Sequence, residues 1–391
     1  MIAAHLPIQR PTQAKLLAVD GRGNIEHWPR SQFADLLGPG DLVVANDAAT
    51  LPASLSGQHV RSGRLIEVRL AGRNSLAPDG IRNVTAVVFG AGDFRLRTED
   101  RPEPPELRAG DRLMLGPLRA TVAELLGHPR LVRLAFEGSP DEIWEGVARH
   151  GQPIQYSHVS MPLALRDVWT AIAGLPVAFE APSAGFALDW STLESLKERE
   201  VRFATITHAA GISSTGDAQL DALLPFDELY RISSATALAA EEARVRGGRI
   251  VAIGTTVVRA LEHAAQDDGT VTAGEGLATQ RIGRTSCLRV VDAVLSGVHE
   301  PGTSHHDLLR AFMDDDTLRR MDQELKSRAY RTHEFGDSVF VERIILGVGR
   351  MPGQSASIAA RADSRRPTPG RPVTVELRPA EPGRRPVRWL H

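Results

Sequence analysis

The chain has 391 residues, enough for two domains or for one large domain with an insertion. Its composition is ordinary for a globular protein, no apolar run approaches the roughly 18–20 residues that span a bilayer, and a formal net charge of −2 excludes a strongly basic body. A single cysteine, Cys287, excludes an intrachain disulfide, and the N-terminus lacks a secretory pattern, so we expect a cytoplasmic protein with no membrane partner.

The first stretch of the chain, to about residue 57, contains a strand-like run. Residues 40–47 read GDLVVAND, and Gly38, Pro39 and Gly40 break the chain just before it. The apolar run that follows these breakers predicts a buried strand over residues 41–44.

The second stretch, residues 58–150, has short segments of alternating or continuous apolar residues. They lie at residues 65–70, 84–89 and 131–136, and turn-forming glycines and prolines separate them. Short strands at this spacing predict a small β-barrel or a sandwich.

The third stretch, residues 151–345, alternates predicted helices and strands, which is typical of an α/β domain. A capping-box pattern from Ser191 to Glu194 predicts a helix that continues to about Arg199. The elements predicted after it are a strand at 201–207, a helix at 235–245 that ends at Gly247 and Gly248, a strand at 249–253 and a helix to residue 265.

The C-terminal stretch, residues 350–391, is rich in proline and arginine and lacks periodicity, so we predict that it is mostly disordered. It holds nine arginines and three acidic residues, a charge of +6, which leaves −8 for the rest of the chain because the total is −2. An RNA partner would therefore need local basic patches or this tail for its phosphate contacts.

The turn at residues 253–256 is the strongest candidate ligand site. Gly254 permits close backbone approach, and Thr255 and Thr256 open a helix whose amino end attracts a carboxylate or a phosphate. Arg259 and Glu262 follow one turn later, within reach of that end. The simpler interpretation is a threonine cap, a structural glycine and an ordinary Arg259–Glu262 ion pair.

Five segments resemble, in order, motifs of the S-adenosylmethionine:tRNA ribosyltransferase-isomerases of queuosine biosynthesis. They are the GDLVVAND run with residues 51–57, APSAG at 181–185, GRIVAIGTTVVRALEHAA at 248–265, residues 290–312, and residues 330–337. The resemblance spans residues 16–345. It implies an α/β core formed by residues 1–57 and 151–345, with a small antiparallel β-barrel domain inserted at residues 58–150.

The resemblance also implies an unusual reaction. S-adenosylmethionine would donate its ribosyl group to the aminomethyl group of a 7-deazaguanine in tRNA, giving epoxyqueuosine with release of adenine and methionine. S-adenosylmethionine is then a co-substrate, tRNA a partner, and no metal is implied.

Such chemistry needs a base near the sulfonium-activated ribose carbon, an acid for adenine and an anchor for the methionine carboxylate. His208, Glu228 and Asp337 match family positions and are the candidate catalytic residues, although each could equally be a hydrogen-bonded structural group. The candidate donor-binding residues are Pro182, Ser183, Gly185, Gly254, Thr255, Thr256, Arg259, Glu262, Asp292 and His299.

A histidine cluster at His299, His305 and His306 could suggest a metal. Its spacing fits no zinc pattern, so we expect none. Ser304 with Asp307 three residues on predicts a helix N-cap instead.

Several family positions are changed. Residues 48–54 lack both family arginines, Ala187 and Phe226 replace histidines, and residues 209–214, 281–286 and 296–298 also depart from the motifs. Losing arginines and aromatics weakens phosphate contact and base stacking, the usual means of holding RNA. Two alternatives therefore stay open: the same donor chemistry on a non-tRNA amine, and a non-catalytic paralogue that binds S-adenosylmethionine or RNA.

Overall fold

The structure is a computed structural model that describes residues 1–344. Its strands are, in chain order, β1 (Ile2–Ala3), β2 (Lys15–Val19), β3 (Ile25–Pro29), β4 (Leu42–Asn46), β5 (Ala49–Thr50), β6 (Ser54–His59), β7 (Leu65–Arg73), β8 (Asn83–Phe89), β9 (Arg112–Leu115), β10 (Leu118–His128), β11 (Leu131–Phe136), β12 (Pro176–Ala178), β13 (Arg202–His208), β14 (Glu228–Ile232), β15 (Ile250–Ile253), β16 (Gly274–Ala278), β17 (Ala293–Gly297), β18 (Arg331–Thr332) and β19 (Ser338–Glu342).

The helices of the same residues are α1 (Pro140–His150), α2 (Leu165–Val168), α3 (Trp190–Glu198), α4 (Ala218–Asp221), α5 (Ser234–Val245), α6 (Thr255–His263), α7 (Ser304–Leu308) and α8 (Asp315–Ser327). Short 3-10 helices lie at Arg30–Leu36, Pro78–Arg82, Thr98–Asp100, Ser183–Ala187 and Leu309–Ala311.

A mixed sheet forms the core of the α/β part, in the order β16-β14-β13-β4-β15-β17-β19-β2-β3. Its four central strands, β13, β4, β15 and β17, are parallel. Strand β4 is buried along its whole length, since Leu42 and Val44 face one apolar cluster while Val43 and Ala45 face another. A strand covered on both faces reads as a continuous apolar run, which is why the sequence predicted it.

The two apolar clusters cover opposite faces of this sheet. The first contains buried residues of α5, α6 and α8, and the second contains residues of α3 and of the 3-10 helices at Arg30–Leu36 and Ser183–Ala187. With helices on both faces, the parallel strands are left open mainly at their ends.

The second structural unit is a closed antiparallel barrel in the order β10-β11-β8-β7-β6-β9. Gly57 permits the close approach of β6 to β9, because a Cβ there would lie 2.0 Å from the Met114 carbonyl oxygen. Its strands run from Ser54 to Phe136, and α1 packs on it where Gly146 meets Leu118. The predicted fold class, an α/β core with a small antiparallel barrel, is confirmed, and of the two architectures considered for this stretch the barrel is correct. The domain limits stay a prediction.

Two predicted helix starts were wrong by one or two residues. Asp189, not Ser191, caps α3 by accepting a hydrogen bond from the Thr192 amide. Thr303, not Ser304, caps α7 by accepting from the His306 amide. In both cases a second good capping side chain lies next to the true cap, and composition does not rank such neighbours.

Two other expectations concern the membrane and the tail. Among residues 1–344, none of the helices is long and apolar enough to cross a membrane. The predicted disorder of residues 350–391 lies outside the described residues.

Candidate active site

A cavity of about 630 Å³ opens at the carboxyl ends of β13, β15 and β17. Its wall is built from the segments that follow these strands, together with the start of α6, the loop at 281–286 and the residues around α7. Ligands of open parallel sheets bind outside the carboxyl ends of the strands, and this volume suits a small molecule.

The amino end of α6 forms part of the cavity wall, as the sequence predicted for this turn. Gly254 has φ +94° and ψ 154°, a conformation that is largely restricted to glycine, and it turns the chain from β15 into the helix. In the described chain no side chain caps α6 at this residue. Thr255 and Thr256 line the cavity, so the positive end of the helix dipole is directed towards it.

The turn at 182–184 lies against the start of α6. A Cβ at Gly254 would approach the Ala184 Cβ to 3.3 Å, and Pro182 and Ser183 also line the cavity. Gly185 lies behind this wall, where a Cβ would approach the Thr170 side chain to 2.9 Å. The structure therefore brings the 181–185 and 254–256 motifs together, with Gly185 as a packing residue.

Arg259 and Glu228 form a buried ion pair at the cavity wall. The Arg259 guanidinium contacts the Glu228 carboxylate and also donates to the carbonyl oxygens of Phe226 (3.1 Å) and Ala278 (2.8 Å). Glu228 also accepts from the Gly211 amide at 2.5 Å. Burial raises the pKa of Glu228, although Arg259 opposes the shift. The Arg259–Glu262 ion pair considered from the sequence is wrong, because Glu262 bonds elsewhere.

His208 lies behind Glu228 and does not line the cavity. Its side chain is completely buried, with Nε2 3.6 Å from the Glu228 carboxylate. Burial lowers the pKa of His208 to about 3, and the positive charge of Arg259 acts in the same direction. A neutral, enclosed imidazole can accept a proton only from a neighbouring group, so direct contact with substrate requires His208 to move.

We predict that the His208 imidazole stays neutral between pH 5 and 8, because its pKa lies near 3. The measurement is a pH titration of histidine ring resonances by NMR, assigned with a His208→Asn variant and with exposed His5 as an internal reference. An unperturbed imidazole titrates inside this range. A His208 midpoint between pH 5 and 8 would contradict the prediction.

His299 and His305 form a second cluster on the cavity wall. Their rings stack with centroids 4.4 Å apart at 13°, and both residues line the cavity. Burial lowers the pKa of both, to about 4 for His305, which favours neutral rings at ordinary pH. His306 points away and pairs with Asp322 at 3.1 Å, so the predicted three-histidine cluster is divided.

Three carboxylates predicted for the site lie outside the cavity. Glu262 accepts from the amides of residues 289, 290 and 291 and holds that loop. Asp292 accepts from the Ile250 amide (3.1 Å) and from the Arg343 guanidinium (3.1 Å). Asp337 accepts from backbone amides of residues 15 and 331 at 2.9 and 2.8 Å, which ties β18 to the edge of β2. Their functional assignments stay predictions, and no contact with the cavity supports them.

Glu180 is a cavity residue that the sequence analysis missed. It lines the cavity beside Ala181 and accepts a hydrogen bond from the Tyr156 hydroxyl. Burial raises the pKa of Glu180 to about 7, even though the Tyr156 hydrogen bond opposes the shift. In the sequence, the feature that could have indicated Glu180 as a cavity residue was its position immediately before the APSAG motif. Arg281, Arg284 and Arg310, also missed, bring positive charge to the same wall.

One group in the described chain has donor atoms close enough together for a metal ion: His158, His333 and Glu334. However, the two imidazole rings stack at 4.2 Å and 16°, so the lone pairs of their nitrogens lie in nearly parallel planes and do not converge. His158 Nε2 instead pairs with the Glu334 carboxylate at 2.9 Å. This geometry is that of an ion pair beside a ring stack, and the expectation of no metal stays a prediction.

The sheet, the barrel and the cavity define an α/β protein with a cavity at the ends of its parallel strands. Protein-family comparison is more specific: the sequence model of the queuosine biosynthesis protein family matches residues 1–341. The chain belongs to this family, which confirms the resemblance found in its motifs.

Individual relatives agree. An S-adenosylmethionine:tRNA ribosyltransferase-isomerase of Gloeobacter violaceus is 31% identical over 352 residues, covering 86% of this chain and 92% of the relative. Another, from Citrifermentans bemidjiense, is 31% identical over 348 residues, covering 87% and 96%. A crystal structure of an S-adenosylmethionine tRNA ribosyltransferase from Thermotoga maritima is similar with a TM-score of 0.45 and 23% identity, covering 87% of this chain and 96% of that one.

Proposed function

We propose that the chain transfers and isomerises the ribosyl group of S-adenosylmethionine onto the aminomethyl-7-deazaguanine of tRNA. The products are epoxyqueuosine in tRNA, adenine and methionine. The expected location is the cytoplasm, where tRNA is found. The observation that carries the proposal is the uncapped amino end of α6 at Gly254, which is directed into a cavity of suitable size in a member of this family.

The donor's amino-acid carboxylate is the natural occupant of this helix end. Backbone N–H groups and the helix dipole stabilise a negative charge there. Arg259 does not compete for that carboxylate, because Glu228 and two backbone carbonyls already hold its guanidinium. The dipole at Gly254 is therefore the stronger anchor.

The acceptor would approach the part of the cavity formed by the loop at 281–286 and the residues around α7. Arg281, Arg284 and Arg310 line it, and cationic side chains of this kind can contact the phosphates of an RNA. Their charge is partly compensated, because Arg284 and Arg310 pair with Asp315 at 3.0 and 3.1 Å.

A second candidate keeps the donor chemistry but uses a non-tRNA amine. It is favoured by the position of the family departures, because residues 210–213, 281–286, 296 and 297 all line the cavity. Ala187, by contrast, packs with the buried cluster under the sheet and does not alter the wall. The altered residues would change acceptor recognition more than donor recognition.

Release of adenine from S-adenosylmethionine tests both candidates. The full-length protein is incubated with S-adenosylmethionine and with tRNA carrying the aminomethyl-7-deazaguanine, the same tRNA with guanine, or the free aminomethyl base, and adenine is quantified by chromatography. Adenine only with the precursor tRNA supports the main proposal. Adenine with the free amine supports the second candidate. No adenine under any condition overturns both.

A further inference from the structure

Glu180 occupies a boundary between two cavities. Glu180 lines the large cavity and also a small cavity of about 20 Å³ that it shares with Tyr156, His158 and Glu334. That volume is enough for about one water molecule. Glu180 is therefore in contact with the substrate space on one side and with a polar interior cluster on the other.

Burial and the nearby Glu334 carboxylate favour the protonated form of Glu180, whereas hydrogen bonds from Tyr156 and Ser213 favour its carboxylate. Glu334, from the loop between β18 and β19, faces it across the small cavity and carries negative charge, because the hydrogen bond from His158 lowers the pKa of Glu334 despite its burial. Tyr156 opposes this, since its hydroxyl donates to the Glu180 carboxyl and is held between the Ser213 hydroxyl (3.4 Å) and the Ser214 carbonyl (3.1 Å).

One cationic side chain, that of Arg69, also lies near Glu180. Arg69 of β7 lies over the Tyr156 ring at 5.3 Å, but Glu67 neutralises it at 2.8 Å. Burial, the nearby Glu334 charge and a compensated Arg69 leave Glu180 with a pKa of about 7.

Two of the carboxyls that line the large cavity, Glu180 and Glu228, have different environments, and Asp221 and Asp307 line it as well. Glu228 contacts a guanidinium and a backbone N–H, both of which donate to a carboxylate. Glu180 accepts hydrogen bonds from Tyr156 and Ser213, which are uncharged, and lies near the Glu334 carboxylate. When the environments of two carboxyls in one site differ in this way, the carboxyl without a cationic partner is suited to be the general acid.

We propose that Glu180 is a catalytic proton donor of the cavity and delivers its proton to the departing adenine. This rests on the proposed function. As the ribose C1′–N9 bond breaks, its electron pair goes to adenine. The Glu180 O–H bond breaks, its proton goes to adenine, and Glu180 is left as a carboxylate. Water in the large cavity, which Glu180 also lines, returns a proton to its carboxylate after adenine has left.

The test is the pH dependence of adenine release with saturating precursor tRNA and S-adenosylmethionine. A general acid must be protonated, so the wild-type rate falls as pH rises through an apparent pKa near 7. In Glu180→Gln this decrease of the rate with pH, the alkaline limb of the pH profile, is absent, and adenine release is slower by on the order of 10²-fold or more. Glu180→Asp keeps a carboxyl and retains the limb at a reduced rate. For both variants, the thermal unfolding temperature and the Kd for S-adenosylmethionine should stay near the wild-type values. These two measurements exclude misfolding as the cause of the slower release.

Two neighbouring variants move the limb in opposite directions. Tyr156→Phe removes a donor to the carboxylate and shifts the limb to higher pH, whereas Glu334→Gln removes a negative charge and shifts it to lower pH. A merely structural role for Glu180 would not produce this pair of shifts. A folded Glu180→Gln variant with wild-type rate and an unchanged pH profile overturns the proposal.

Failure of the proposed function is distinguishable, because the wild type would then release no adenine. In that case Glu180 is titrated directly by infrared difference spectroscopy of wild type against Glu180→Gln. If no carboxyl titrates near pH 7, the physical basis for Glu180 as a proton donor is removed. If one does, the environment of Glu180 is as described and only the proposed reaction has failed.

Discussion

Replacing Arg259 with methionine is expected to lower the free energy of unfolding by about 3–5 kcal/mol and to abolish adenine release. The substitution leaves the Glu228 carboxylate, which is only 7% exposed, without its cation. It also removes the donor to the carbonyl oxygens of Phe226 and Ala278, which lie on the segments flanking the cavity. The measurement is urea denaturation followed by circular dichroism, alongside the adenine assay.

A matched control is Arg231→Met. Arg231 pairs with Glu275 at 2.6 Å, but both side chains are about half exposed, and such surface pairs contribute about 0–1 kcal/mol. In the double variant Arg259→Met/Glu228→Gln no buried charge remains, so part of the lost stability returns while activity does not. A loss of stability in Arg259→Met no larger than in Arg231→Met would contradict the buried-pair account.

The sequence predicted the central sheet strands β4, β13 and β15 and the barrel strands β7, β8 and β11, because burial leaves a local pattern. Strand β4 reads as an unbroken apolar run after Gly40, and β15 reads as another before Gly254. Both are central strands covered on two faces. Helix starts were predicted less accurately because nearby residues such as Asp189 and Ser191 can both cap, and only backbone geometry decides between them.

The site was predicted where one segment carries it and missed where distant segments meet. The Gly254 turn contains its own strand, breaker and helix start, so its position at the start of a helix is readable locally. Glu180 and Tyr156 are 24 residues apart, and their contact exists only after folding. Asp337 matched a motif, yet a motif does not tell which way a side chain points, and this one satisfies two backbone amides.

Replacing Gly254 with alanine is expected to weaken S-adenosylmethionine binding by roughly ten-fold or more, since the backbone strain of a non-glycine residue here is about 1–3 kcal/mol. At φ +94° a Cβ is strained, and it would approach the Ala184 Cβ to 3.3 Å. Relief of that strain rotates the peptide and redirects the first amides of α6 away from the cavity. Isothermal titration calorimetry with the full-length protein measures the Kd.

Gly110→Ala provides the control for backbone strain alone. Gly110 has φ +89°, close to the value at Gly254, but it lies at the turn before β9 of the barrel, and an added Cβ would meet no atom within 4 Å. Both variants place a Cβ at a positive φ, whereas only Gly254→Ala should lose affinity for the donor. Equal affinity in the two variants would show that the donor carboxylate is held elsewhere, and the helix-end anchor would have to be abandoned.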